Sequence, residues 1–105
     1  LPGTVMVVDD TPANLQLLDE LLRSRGHHVL LFPRGALALK AARRHPPDVI
    51  LLDILMPEMD GFEVCRQLKA DPQLAQIPVI FLSALGDVES KVRAFAAGGV
   101  DYVAK

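Results

Sequence analysis

The sequence has no tryptophan, a single tyrosine, a single cysteine and aromatic residues at only 5% of its 105 positions. One thiol, Cys65, cannot close an internal disulfide, and a reducing, cytoplasmic setting is expected. With so few aromatics, the core has to be assembled from Leu, Val, Ile and Ala. Excess charge of one sign is missing as well: the formal net charge is −2. No basic field is available to hold a phosphate backbone, which argues against direct nucleic-acid binding. No apolar run approaches the roughly eighteen residues that a membrane-spanning helix needs. The first residues carry no signal-peptide pattern, and no GxxxxGK[ST] loop suggests a nucleotide site.

What is present is hydrophobicity in short bursts. Half of the residues are apolar, and they alternate between runs of four or so and longer stretches with helical spacing, the pattern of a parallel sheet with crossover helices. Val5 to Val8 reads as a strand that stops at Asp9 and Asp10. Thr11 and Pro12 follow as N-cap and first helical residue. Leu15, Leu18, Leu21 and Leu22 recur at helical spacing until Gly26. Val29 to Phe32 is a second strand, and a helix through Ala36, Leu39 and Ala42 is stopped by Pro46 and Pro47. Val49 to Leu52 leads to Asp53, and a loop with Pro57 opens a helix at Gly61 that carries Phe62, Val64, Cys65 and Leu68. Val79 to Leu82 leads to Ser83, a fourth helix runs from about Asp87 to Ala97 before Gly98 and Gly99, and Val100 to Ala104 leads to Lys105. Strict alternation with right-handed crossovers predicts one α/β domain over residues 1–105, a doubly wound five-stranded parallel sheet of flavodoxin-like order 2-1-3-4-5.

In such a sheet the carboxyl ends of the strands line one crevice, where ligands bind. Asp9 and Asp10, Asp53, Ser83 and Lys105 all fall at strand ends, so residues spread over the whole chain converge. Three carboxylates in one place repel unless something positive sits among them. Mg²⁺ suits carboxylates, a backbone carbonyl and water, and Lys105 adds a second positive charge. A carboxylate can attack phosphorus to give an acyl phosphate, whose oxygens the metal, Lys105 and Ser83 would neutralise. Taken singly, each residue is an ordinary turn, cap or surface residue. Only the combination points to phosphoryl transfer.

Four separated segments strengthen the reading: Val7-Val8-Asp9-Asp10, the run Leu51 to Gly61, Phe81-Leu82-Ser83-Ala84, and Gly99 to Lys105. In order and spacing the chain from Val5 to Lys105 resembles the receiver domains of response regulators in two-component signalling. The resemblance implies that Asp53 takes its phosphoryl group from a histidine kinase or phosphotransfer protein. It implies that Asp10 ligates Mg²⁺ directly, Asp9 through water and Leu55 through its backbone carbonyl. Ser83 would bond the phosphoryl group, and Tyr102 would be the aromatic switch whose ring turns inward when Ser83 moves. A downstream effector domain or protein would read the changed face, and a homodimer stays open. The family carries a proline after the lysine and then a fifth helix; both are absent here. The chain is therefore expected to be a receiver truncated before its fifth helix, a fragment of a longer protein or the ordered part of one, with apolar surface exposed on one sheet face. The run Asp10 to Leu15 and the segment Gly98 to Tyr102 look like receivers fused to sensor kinases or cyclic-dinucleotide enzymes.

Two other classes compete. Haloacid-dehalogenase-type phosphatases also use a strand-end aspartate with Mg²⁺, but a second aspartate stands two residues after it. Here Leu55 follows Asp53 at that spacing and Thr11 follows Asp9. A phosphorylation-independent pseudo-receiver usually lacks an acidic or lysine position, and all are present. Whether the domain turns over any substrate of its own is left open. His27, His28 and His45 have no metal-ligand spacing and are expected to be solvated. Lys40, Arg43 and Arg44 read as a solvated helix face, Met56 and Met59 as local packing, and Cys65 as a small apolar residue.

Overall fold

A computed structural model describes residues 3–83 and 88–104. The elements follow one another as β1 (Thr4–Val8), α1 (Pro12–Ser24), β2 (His28–Phe32), α2 (Gly35–Arg44), β3 (Val49–Asp53), α3 (Gly61–Ala70), β4 (Val79–Ser83), α4 (Val88–Ala96) and β5 (Asp101–Ala104). The strands form a single parallel sheet in the order β2-β1-β3-β4-β5, the doubly wound arrangement expected. Among the described residues no helix is long and apolar enough to cross a membrane.

Alternation along each strand divides the apolar residues between two layers. Met6, Val8, Ile50, Leu52, Val79 and Phe81 belong to the larger core with Ala38, Leu39, Ala42, Phe62, Val64, Cys65 and Leu68 of α2 and α3. Phe62 and Phe81 meet with ring centroids 5.6 Å apart. The Arg93 guanidinium of α4 lies 4.3 Å from the Phe62 centroid, a cation–π contact that ties α4 to this layer. Val5, Val7 and Val29 face the other way, under Leu15, Leu18 and Leu22 of α1. On that second face Ile80 and Leu82 are only half-buried and Val103 is 47% exposed.

Several small features have local causes. Thr11 occupies the N-cap position of α1, but its side chain makes no capping bond; its carbonyl accepts from Asn14 and Leu15 instead. Gly26 takes φ +86° just past α1, a left-handed turn residue that glycine adopts without strain. Lys69 reaches out of α3 to donate to the carbonyls of Ala75 and Ile77 at 2.9 and 2.7 Å, holding the loop that leads into β4. Cys65 is fully buried, its thiol donates to the Ala97 carbonyl at 3.2 Å, and burial pushes its pKa up; an inert packing role follows. Met56 and Met59 pack against the main core. His27 departs from expectation. His28 and His45 are exposed, but His27 is half-buried and its Nδ1 is shut off from solvent without a hydrogen-bond partner among the described residues.

Candidate functional site

The acidic pocket is a product of where the strands end. Asp9 follows β1 directly, and its backbone N–H donates to the Phe32 carbonyl at 3.1 Å, extending the β1–β2 ladder by one residue. That bond keeps Asp9 in the strand alternation, so its side chain is fully buried while Asp10 next to it is exposed. The buried carboxylate is fixed on both oxygens: Oδ1 accepts from the Thr11 backbone N–H at 2.9 Å and Oδ2 from the Asn14 side-chain amide at 3.3 Å. Asp53 ends β3 beside Leu82 in the register with β4 and is 4% exposed. Oxygens of Asp9, Asp10 and Asp53 all lie within 4.8 Å of one another.

The loop after β3 brings α3 against this pocket. The Gly61 N–H donates to the Ile54 carbonyl at 2.8 Å, and Asp60 caps α3 by accepting from Glu63 N–H at 2.9 Å. A Cβ on Gly61 would lie 2.2 Å from the Asp53 carbonyl oxygen, so the helix start is seated on the backbone of the residue next to which it must fit. Leu55 stands in this loop, 58% exposed. Ser83 ends β4, fully buried and opposite Ala104 in the register with β5. Tyr102 is half-buried, partnered with Phe81 across the strands and packed on the main core. The Lys91 ammonium stands 5.9 Å from its ring centroid. Lys105, the last candidate, lies outside the described residues.

The donor set suits a hard divalent cation: it consists of carboxylate oxygens, one member is exposed, and nothing soft is included. Sequence reasoning missed three contributors to the pocket. Asn14 orients Asp9, and an amide in the first turn after an Asp-Asp-Thr-Pro stretch is the signal that could have found it. Asp60 was identifiable as an N-cap, because Glu63 stands three residues on. Gly61 read as a helix opener only, since a close approach leaves no trace in spacing.

A parallel doubly wound sheet with an acidic pocket at its carboxyl edge defines the class of α/β proteins whose strand ends form a ligand or reaction site. The chain belongs within it to the response regulator receiver domain family, whose model matches residues 5–105. It is 42% identical to the response regulator PleD of Caulobacter vibrioides over 105 residues, all of this chain and 23% of PleD. It is 43% identical over the same length to the signal transduction histidine-protein kinase BarA of Escherichia coli, of which it spans 11%. The chain thus covers a quarter or less of these relatives. Its fold superposes with a TM-score of 0.91 on the receiver domain of a sensor histidine kinase from Pseudomonas aeruginosa. That structure has a magnesium ion coordinated in its active site cleft, is 31% identical, and is matched over 100% of this chain and 86% of its own.

Proposed function

We propose that this receiver accepts a phosphoryl group on Asp53 from a histidine kinase or phosphotransfer protein, in a Mg²⁺-dependent reaction, and thereby switches a face read by an effector. The observation that carries this is the convergence of Asp9, Asp10 and Asp53 within 4.8 Å at the strand ends. An Asp53 carboxylate oxygen attacks phosphorus, the bond from phosphorus to the donor nitrogen breaks, and the leaving histidine keeps the electron pair. Asp10 and Asp53 would hold Mg²⁺ directly, with the Leu55 carbonyl, and Asp9 through water. Bound there, the ion supplies positive charge to the phosphoryl oxygens. Asp9, held by Thr11 and Asn14, keeps the site's shape. Lys105 and Ser83 take the remaining oxygens of the acyl phosphate, and the shift of Ser83 is relayed to Tyr102, a local charge change biasing a two-state element.

Intact mass after incubation with acetyl phosphate and Mg²⁺ tests the reading. One phosphoryl group is expected on the wild type, none on Asp53→Asn, and none when the metal is chelated. A folded, Mg²⁺-binding sample that gains no mass would favour a pseudo-receiver that binds its partners without phosphorylation.

The lifetime of the adduct is a further expected outcome. Leu55, two residues past Asp53, offers no polar group to position an attacking water. Self-dephosphorylation should be slow, and Leu55→Asn should shorten the half-life several-fold in a phosphate-release assay. A longer half-life in that variant would count against this role.

A further inference from the structure

Along α2, with Phe32 of β2 at one side, runs an open groove of about 390 Å³ lined by Phe32, Leu37, Lys40, Ala41, Arg44 and His45. Leu37, Lys40, Ala41 and Arg44 recur at i, i+3, i+4 and i+7, one stripe of the helix. The opposite stripe of Gly35, Ala38, Leu39 and Ala42 is buried against the core, so the groove stripe faces outward. Leu37 is 49% exposed, an apolar side chain at the groove with cations one and two turns further along.

The charges here are uncommitted. Arg23, Arg34, Arg43 and Arg66 each pair with a carboxylate, whereas Lys40 and Arg44 make no ion pair among the described residues. Favourable interaction with the helix dipole accounts for Arg44 in the last turn of α2, but not for Lys40 in the middle or for an exposed leucine beside it. Nor does the groove suit an added β-strand. His28 and Phe32 direct their backbone groups to β1 and its flanks, which leaves Val29 and Leu31 facing out. The Val29 carbonyl already accepts from Arg23 at 3.1 Å, and Pro33 has no N–H to offer. A lipid surface fits poorly too, because Leu37 is the one large apolar side chain exposed on α2 among the described residues, too little for interfacial insertion.

We propose that this groove docks an acidic segment of a partner protein, with one large apolar side chain against Leu37 and Phe32 and flanking carboxylates on Lys40 and Arg44. Complementary charge at the rim sets orientation and encounter rate, and the apolar anchor holds the contact. None of the side chains lining the groove belongs to the acidic pocket.

The test is a ¹⁵N NMR titration of the protein with a blocked pentapeptide of sequence Glu-Glu-Phe-Glu-Glu, beside its version with glutamine for every glutamate. Shifts confined to residues 32–45 are expected with the acidic peptide. Binding should weaken at least tenfold for the glutamine peptide, and equally for the charge-neutral Lys40→Gln/Arg44→Gln double variant. Leu37→Ser, which leaves both charges and the buried stripe in place, should also bind at least several-fold more weakly. Absent shifts, shifts centred outside residues 32–45, or equal binding of the two peptides would overturn the proposal. So would concentration-dependent shifts at the same residues without peptide, which would make a second copy the occupant. Sedimentation with phosphatidylglycerol vesicles that the double variant loses would make it a lipid surface.

Discussion

Mg²⁺ at a hundredfold excess over its dissociation constant is expected to raise the melting temperature by roughly 10–20 °C. A ligand that binds only the folded state stabilises by about 2.7 kcal/mol at that excess, and a domain of this size shifts roughly 4–8 °C per kcal/mol. The reason lies in the pocket. Folding forces three carboxylates to within 4.8 Å of one another, where like charges repel; in the unfolded chain Asp53 is far from the other two. A divalent cation removes that repulsion in the folded state alone. Asp10→Asn is the informative variant, because Asp10 is exposed while Asp9 and Asp53 are buried. Without metal, Asp10→Asn should melt higher than the wild type, having lost one repelling charge; with Mg²⁺ it should gain little. A wild-type melting curve indifferent to Mg²⁺, or a full response in Asp10→Asn, would argue against the metal site.

Gly61→Val should cost about 3 kcal/mol or more, at or beyond the upper end of ordinary overpacking, against a total of about 5–15 kcal/mol for a typical domain. The Cβ would fall 2.2 Å from the Asp53 carbonyl oxygen, 2.9 Å from Ile54 Cα and 3.0 Å from the Asp53 carbonyl carbon. All three are backbone atoms, and none can rotate away. The start of α3 has to withdraw, breaking the 2.8 Å bond from Gly61 N–H to the Ile54 carbonyl and loosening Phe62, Val64, Cys65 and Leu68, all buried. Since the same backbone carries Asp53, phosphoryl acceptance should fall further than the fraction unfolded accounts for. Urea denaturation gives the first quantity and the intact-mass assay the second. A midpoint within about 0.5 kcal/mol of the wild type, the scale of ordinary surface substitutions, would show that the close approach is not limiting.

Much of this was readable from residue order. The strand assignments agree within a residue or so because each strand holds a short apolar run bounded by polar or turn residues, and parallel strands covered on both faces need no polar alternation. The convergence of Asp9, Asp10 and Asp53 followed from topology: once the strands are parallel and the crossovers right-handed, their carboxyl ends share one edge. The Lys40, Arg43 and Arg44 cluster was visible too, but only as charge on a helix.

The sequence by itself therefore determined the order and type of the elements, the sheet they form and the edge at which the acidic groups meet. These depend on hydrophobic periodicity and turn chemistry, which are local. Tertiary structure alone decided the rest. Asp9 and Asp10 are identical neighbours on paper; the backbone bond from Asp9 to Phe32 makes one buried and clamped and leaves the other exposed. Gly61 gained its close approach to a strand end eight residues before it, and the His27 Nδ1 lost its solvent through packing. Lys40 and Arg44 acquired a groove because Phe32, from a different element, closes its other side. Each of these depends on distances between segments that only the packed chain brings together.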